Sequence, residues 1–211
     1  MARKVLTVRD LEAIAACGEV SVPLDTIVTP LARDEAEARG IAIRFEDPKP
    51  VGPEGAASAP ARVVAIGADH GGFDLKEELK GYLIAWGYSV LDQGTSSRDA
   101  VDYPDFAEAV ANAVVRGDAS RGIVIDSAGI GSSIAANKVP GARAALCYDR
   151  ATARNSREHN DANILSLGAR LIPAEVAREI LAAWLETPFA GGRHQKRVDK
   201  IRAIEKRHLK S

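Results

Sequence analysis

Apolar residues recur in five short runs in the second part of the chain, and each run ends in a polar or glycine-bearing turn. Between these runs the apolar positions follow helical spacing, and Pro104 and Pro173 stand where two of the helices would begin. Nearly continuous apolar strands that alternate with helices are typical of a parallel sheet covered by helices on both faces. The pattern therefore predicts an α/β domain. Its predicted strands are Val63–Gly67, Ser89–Asp92, Gly122–Asp126, Ala144–Tyr148 and Ile164–Leu167.

The first part of the chain predicts a smaller α+β module. A short apolar helix pattern begins at Leu11. A second helix is better marked, because Thr29 can cap it, Pro30 suits its first position and Gly40 can end it. Ile41–Phe45 then alternates as a short strand.

The two parts are separated by a segment with the composition of a linker. Residues 46–60 contain four prolines and two glycines and show neither helical nor strand periodicity. We therefore predict an N-terminal interaction module at 1–45, a linker at 46–60 and the main domain at 61–211. A module of about 45 residues has a marginal core, so we expect it to need oligomerisation or a partner surface.

The module contains a short segment with a possible recognition role. Val28–Asp34 resembles segments of proteins associated with bacterial microcompartments. The resemblance predicts an assembly partner for this module and a location inside such a compartment. The alternative is a simple helix start with no recognition role.

Charge and cysteine content narrow the classes of partner and compartment. The 28 Lys and Arg nearly balance the 29 Asp and Glu, so we expect no nucleic-acid or anionic membrane partner, and any anion site must be local. Cys17 and Cys147 lie far apart, which favours a reducing compartment, the cytoplasm by default. We expect no signal peptide and no membrane span, because no apolar stretch approaches the required length of about 18 residues.

Polar residues follow the first predicted strand of the main domain. In a parallel sheet, ligands bind beyond the carboxyl ends of the strands. Asp69 and His70 stand at that point and precede two glycines, so a polar ligand is predicted to bind there. The alternative is that Asp69 caps the next helix and His70 is a solvated turn residue.

The third predicted strand leads into a glycine-containing turn. Gly129 and Gly131 let the backbone approach a ligand, and the unpaired N–H groups of the following helix start suit a phosphate or a developing oxyanion. A tight turn without a ligand explains the same residues.

Two further segments combine basic and hydrogen-bonding side chains. His159 lies in a polar connection after the fourth strand and has the chemistry of a general acid or base near neutral pH. Arg193 and Arg197 lie four residues apart, on one helix face, and their guanidinium groups suit a phosphate. A solvated basic helix face is the alternative.

Taken together, five motifs resemble one enzyme family. Their order and spacing resemble the ribose-5-phosphate isomerase B and galactose-6-phosphate isomerase family over nearly all of the main domain. The resemblance implies a Rossmann-like fold and says nothing about the N-terminal module. The motifs are Asp69–Phe73, Asp102–Pro104, Gly129–Lys138, Arg157–Asn163 and Gly191–Arg197.

The resemblance implies an aldose–ketose isomerase of sugar phosphates, with ribose 5-phosphate and ribulose 5-phosphate as the first expected pair. Such enzymes work through a cis-enediolate, without a metal or organic cofactor, and share their active sites across a homodimer interface. Ring opening would be assisted by His159. The enediolate would be held by backbone N–H groups at Gly129, Ile130 and Gly131. Sugar hydroxyls would be oriented by Asp69, Tyr103, Asn137 and Asn160, and the phosphate would be held by His70, Arg193 and Arg197.

The chain departs from the family at the base that moves the proton. One branch has a cysteine where this chain has Asp126, and another has a glutamate where it has Ser132. A serine or threonine often found before the first glycine is replaced by Ala128. Our hypothesis is that Asp126 is the base, because burial at a strand end strengthens a carboxylate as a base.

Two alternatives remain open at this point. In the first alternative the chain is still an isomerase, but its substrate is a different sugar phosphate, a tetrulose or hexose phosphate. The loop Gly94–Tyr103 would then face the far end of that substrate. In the other alternative Asp126 only caps a turn, and the chain is a catalytically silent sugar-phosphate-binding or structural subunit.

Overall fold

The computed structural model divides the chain into two compact units, Met1–Gly55 and Ala56–Ser211. Most of the predicted linker lies outside the described residues, as do Cys17 and the continuation of the first helix pattern beyond Leu11. Within the part that the structure describes, no helix is long and apolar enough to cross a membrane. The structure describes residues 5–6, 8–11, 18–23, 26–46 and 62–209.

The first unit consists of two strand–helix–strand segments. The first segment is β1 (Val5–Leu6), α1 (Val8–Leu11) and β2 (Glu19–Pro23). The second segment is β3 (Ile27–Val28), α2 (Pro30–Ala38) and β4 (Ala42–Glu46). Equivalent strands pair in parallel, β1 with β3 and β2 with β4. The unit therefore repeats one strand–helix–strand segment, and its two copies pair strand by strand.

The second helix of this unit forms as the sequence predicts. The Thr29 hydroxyl accepts a hydrogen bond from the Ala32 N–H at 3.3 Å, and Pro30 is the first helical residue. Gly40 follows with a φ of 64°, a left-handed conformation that glycine adopts without strain. The helix packs on a small core with Leu11 and Ile41.

The second unit contains the predicted parallel sheet. Its strands are β5 (Val63–Ala68), β6 (Ser89–Asp92), β7 (Arg121–Asp126), β8 (Ala144–Leu146) and β9 (Ile164–Gly168). The strand order is β6-β5-β7-β9-β8, and every pairing is parallel. All five predicted strands are confirmed, and the fourth ends two residues earlier than predicted.

Helices cover both faces of this sheet. The helices are α3 (Phe73–Ala85), α4 (Tyr103–Arg116), α5 (Ile130–Ala136), α6 (Arg150–Asn160), α7 (Ala174–Glu186) and α8 (Gln195–His208). On one face Leu79 of α3 and Trp184 of α7 are fully buried, and on the other Val110 of α4 and Ala136 of α5 are fully buried. Complete burial of a large aliphatic side chain contributes about 1.5–3 kcal/mol, so both faces stabilise the sheet.

Candidate active site

The loop after β5 is held in place by Asp69. This buried side chain accepts a hydrogen bond through Oδ1 from the Gly72 N–H at 2.9 Å, so it caps the start of α3. A Cβ at Gly71 would meet the Ser127 hydroxyl in the loop after β7, and a Cβ at Gly72 would lie 2.6 Å from the backbone oxygen of Ile125 in β7. The loop after β5 therefore packs against β7 and its loop, and glycine is required at position 72, where the backbones meet.

The carboxylate of Asp126 organises the loop after β7. Its Oδ1 accepts hydrogen bonds from the Ala128 N–H, at 2.8 Å, and from the Gly129 N–H. Its Oδ2 accepts one from the Ser132 N–H at 2.8 Å. The side chain thus caps the start of α5, as in the alternative interpretation, and one lone pair of Oδ2 is left for a proton. Its role as the base stays a prediction.

These contacts correct one part of the predicted oxyanion site. The Gly129 N–H donates to Asp126 and is not available to an enediolate, because a buried carboxylate takes up the nearest backbone donors. Ile130 and Gly131 lie in the first turn of α5, where the helix itself supplies no acceptor for their N–H groups. These two N–H groups remain as candidate donors.

The loop between β6 and α4 closes against the same edge. Tyr103 begins α4, and a Cβ on Gly131 would come within 2.6 Å of the tyrosine ring. The His70 Nδ1 lies 3.3 Å from both the N and the O atoms of Val101. The carboxyl edge of the sheet therefore brings together the predicted residues Asp69, His70, Tyr103, Asp126, Ile130 and Gly131.

Asn137 connects α5 to β8. Its Nδ2 donates to the backbone oxygens of Ser133 and Ala144, both at 2.9 Å, and its Oδ1 accepts from the Ala144 N–H at 2.8 Å. An extended backbone offers one donor and one acceptor side by side, which matches a side-chain amide. Both amide hydrogens are used, so only the second lone pair of Oδ1 is left for a sugar hydroxyl, and that role of Asn137 stays a prediction.

A second cluster forms at the end of α6. The His159 Nδ1 lies 2.8 Å from the Asn155 Nδ2, and the His159 ring stacks on the His194 ring with a centroid distance of 4.1 Å and an interplanar angle of 4°. The Arg193 Nε donates to the His194 Nε2 at 3.4 Å. The predicted residues His159, Asn160, Arg193 and Arg197 thus belong to one cluster, arranged around His194.

The charge state of His194 follows from its surroundings. Burial lowers the pKa of His194, and the neighbouring His159, Arg193 and Arg197 lower it further, against a smaller opposing effect of Glu158. These surroundings therefore favour the neutral form of the His194 ring.

The two clusters lie at opposite edges of the sheet. A helix that connects two parallel strands begins at the carboxyl edge and ends at the amino edge. Helix α6 connects β8 to β9, so His159 at its end lies at the amino edge. There the Asn163 Oδ1, just before β9, accepts from the Arg143 N–H, just before β8, at 2.7 Å. One chain therefore carries two separate half-sites.

The sequence analysis missed two residues at the carboxyl edge, Arg170 and Tyr148. The Arg170 N–H donates to the Ser127 oxygen at 3.0 Å, and the Tyr148 hydroxyl donates to the Ala128 oxygen at 3.2 Å. Arg170 is exposed and lies in the turn directly after β9, so the strand-end rule predicts its position. Among the described residues, no group of three or more His, Cys, Asp or Glu side chains is placed to hold a metal ion.

The fold and these clusters define an α/β enzyme that acts on small phosphorylated molecules. Carboxyl-edge loops, unpaired helix N–H groups, an imidazole and paired guanidinium groups are the parts that such chemistry uses. Residues 64–201 match the Ribose/Galactose Isomerase family, and the chain belongs to that family.

Characterised relatives agree with this assignment. Ribose-5-phosphate isomerase B of Escherichia coli is 47% identical over 144 residues, which are 68% of this chain and 97% of that protein. D-erythrulose-4-phosphate isomerase of Pectobacterium atrosepticum is 42% identical over 139 residues, 65% of this chain and 91% of that protein. The solved structure of Clostridium thermocellum ribose-5-phosphate isomerase B superposes with a TM-score of 0.69 at 53% identity, over 69% of this chain and 99% of that chain.

Proposed function

We propose that this protein interconverts an aldose phosphate and its ketose through a cis-enediolate, with ribose 5-phosphate and ribulose 5-phosphate as the principal pair. The observation that carries the proposal is the pair of half-sites at the two edges of the sheet, in a chain 47% identical to a ribose-5-phosphate isomerase B. One half-site offers a carboxylate and backbone N–H groups, and the other offers an imidazole and two guanidinium groups.

Each half-site supplies a different step. At the amino edge, His159 assists opening of the sugar ring, and Arg193 and Arg197 hold the phosphate. At the carboxyl edge, the free lone pair of Asp126 Oδ2 moves the proton between C2 and C1. The N–H groups of Ile130 and Gly131 stabilise the enediolate oxygen as its charge develops.

A complete site then requires a second copy of the chain. The two half-sites lie at opposite edges, and a symmetric dimer would place the carboxyl edge of one chain against the amino edge of its partner. Exposed apolar side chains next to both half-sites support this arrangement, because such surface favours association. They are Ile130, Ile134, Ile201 and Ile204, each between 46% and 57% exposed.

A tetrose phosphate is the second candidate substrate. The erythrulose-4-phosphate isomerase relative and the replacement of the usual base by Asp126 both favour it. The chemistry distinguishes the two candidates. Erythrose 4-phosphate cannot close a five-membered ring, because its O4 is phosphorylated, whereas ribose 5-phosphate closes through O4.

The test compares both substrates in the full-length protein and in His159→Asn. We expect ribose 5-phosphate to be the better substrate, and His159→Asn to lower its kcat/KM about 100-fold. The same variant should affect erythrose 4-phosphate much less, since that substrate has no ring to open. Arg154→Gln, an exposed position on the same helix, is the control. Failure of the protein to convert either substrate would contradict the proposal.

We also propose that residues 1–45 act as an interaction module that recruits the cytoplasmic enzyme to a larger assembly. The module has a small core, and the relatives are covered almost completely without it. Deleting residues 1–60 should leave turnover intact and change the assembly state or the location of the protein. An unchanged assembly state and location would contradict this role.

A further inference from the structure

His194 is an unusual residue to bury. It is only 7% exposed, and among the described residues its Nδ1 has no hydrogen-bond partner. Its Nε2 accepts from Arg193, so the proton of the neutral ring lies on Nδ1, the nitrogen without a partner. An orphan N–H in a buried position is costly, and a purely apolar ring would fill the space without that cost. Packing alone therefore does not explain an imidazole here.

The stack with His159 fixes the plane of the second ring. The rings are nearly parallel, 4° apart, with centroids separated by 4.1 Å. The Asn155 side-chain amide donates to the His159 Nδ1 at 2.8 Å, which assigns the proton of neutral His159 to Nε2. The position of His159 is thus set by a ring face on one side and a hydrogen bond at one edge.

The surroundings of His194 fit this stack. Two stacked cationic rings repel each other, and burial and the neighbouring charges disfavour a proton on His194.

We infer that His194 is a positioning residue, which orients His159 for ring opening and connects that imidazole to the phosphate-binding Arg193. The inference rests on the proposed function. Its consequence is that phosphate binding and orientation of the acid are linked through one side chain, so that phosphate held by Arg193 also secures the plane of His159.

A substrate without a ring separates this role from a general structural one. Ribose 5-phosphate is closed in solution and must be opened before the proton moves. Erythrose 4-phosphate cannot close a five-membered ring, because its O4 is phosphorylated. Loss of His159 orientation should therefore slow conversion of ribose 5-phosphate and spare conversion of erythrose 4-phosphate.

The experiment measures conversion of ribose 5-phosphate and of erythrose 4-phosphate by His194→Ala, His194→Phe and the exposed neighbour control Lys196→Ala. We expect His194→Ala to lower kcat for ribose 5-phosphate about tenfold and to leave kcat for erythrose 4-phosphate within about twofold. His194→Phe retains a stacked ring and should recover most of the kcat for ribose 5-phosphate, but its KM should rise because Arg193 loses its acceptor. Lys196→Ala should match the unchanged protein.

Several outcomes overturn the inference. An equal loss with both substrates, with a matching fall in Tm, assigns His194 a structural role only. An unchanged kcat for ribose 5-phosphate in His194→Ala, beside normal turnover of the unchanged protein, overturns this inference alone. Absence of turnover in the unchanged protein removes the proposed function as well.

Discussion

At the residue scale, the contacts of Asp126 determine how its role is tested. Asp126→Asn keeps an oxygen acceptor for the Ala128 and Gly129 N–H groups and loses the charge and the acceptor for Ser132. If Asp126 is the base, kcat should fall about 1,000-fold with KM little changed, whereas Tm should fall only by the effect of one lost hydrogen bond, to Ser132. Steady-state kinetics and thermal unfolding of the same preparation measure both quantities.

The control for this variant is Ser132→Ala, which keeps the backbone N–H that binds Asp126 and removes only the hydroxyl. We expect it to behave like the unchanged protein. If Asp126→Asn retained most of its turnover and lost stability, Asp126 would be a cap and the base would be another group.

The same residues show what a sequence cannot reveal about a site. The chain order places Asp69, Asp126 and the glycine turn at strand ends, and the structure confirms that they share one edge. Their hydrogen-bond partners follow from atomic positions. Nothing in the sequence shows that Gly129 donates to Asp126, or that Asn137 binds the backbone of Ala144.

At the element scale, the start of α8 packs on the end of α6 through the His159–His194 stack. Because this packing buries His194, we expect the free energy of unfolding to depend on pH. The pKa of His194 is lowered in the folded protein, mainly by burial and then by His159, Arg193 and Arg197, against Glu158. Below its ordinary pKa of about 6.5 the unfolded chain binds the proton more readily, so the free energy of unfolding should fall as the pH drops. Urea unfolding at several pH values below about 6.5 should show this fall in the free energy of unfolding. His194→Phe, which has no group to titrate at this position, should show a smaller fall.

The packing of α3 against β6 gives a second prediction at this scale. The fully buried Lys76 binds both oxygens of Asp92 at 2.8 Å, and Lys80 also binds Asp92. Burial raises the pKa of Asp92, but the hydrogen bonds from Lys76, Lys80 and the Gly94 N–H outweigh it and lower the pKa overall. We expect Asp92→Asn to destabilise the fold by about 2 kcal/mol near neutral pH, discounted for partial exposure.

The sign of the acid dependence follows from the lowered pKa. Asp92 stabilises the fold above its ordinary pKa of about 4 and loses this effect as the pH falls below it. The difference in unfolding free energy between Asp92→Asn and the unchanged protein should therefore shrink in acid. Asp118→Asn, in an exposed pair with Arg116, is the control. A constant difference at every pH would show that the pair does not stabilise the fold electrostatically.

The elements themselves were the most predictable part of the fold. Alternation of apolar strands with helices predicts all five strands of the main sheet and both layers of helices. The strand order β6-β5-β7-β9-β8 depends on contacts between distant residues, and the repeated segment of the first unit appears only when its strands are paired.

At the scale of the whole molecule, the two half-sites predict an active site that is formed by two chains. The sequence motifs appear as one list of residues, whereas the folded chain separates them by the length of the strands. His159 is at the end of α6 and Asp126 at the end of β7, and the topology fixes these at opposite edges. We therefore expect the proposed isomerase to work only as a homo-oligomer.

The most direct test of this account is complementation between two variants, each with one disabled half-site. His159→Asn and Asp126→Asn should each be nearly inactive, and a mixture refolded or co-expressed together should regain about one quarter of the unchanged activity. This value arises because half of randomly formed dimers are mixed and each mixed dimer has one intact site of two. Activity of the mixture no greater than the sum of the separate variants, despite mixed dimers shown by mass spectrometry, would contradict a site shared between chains.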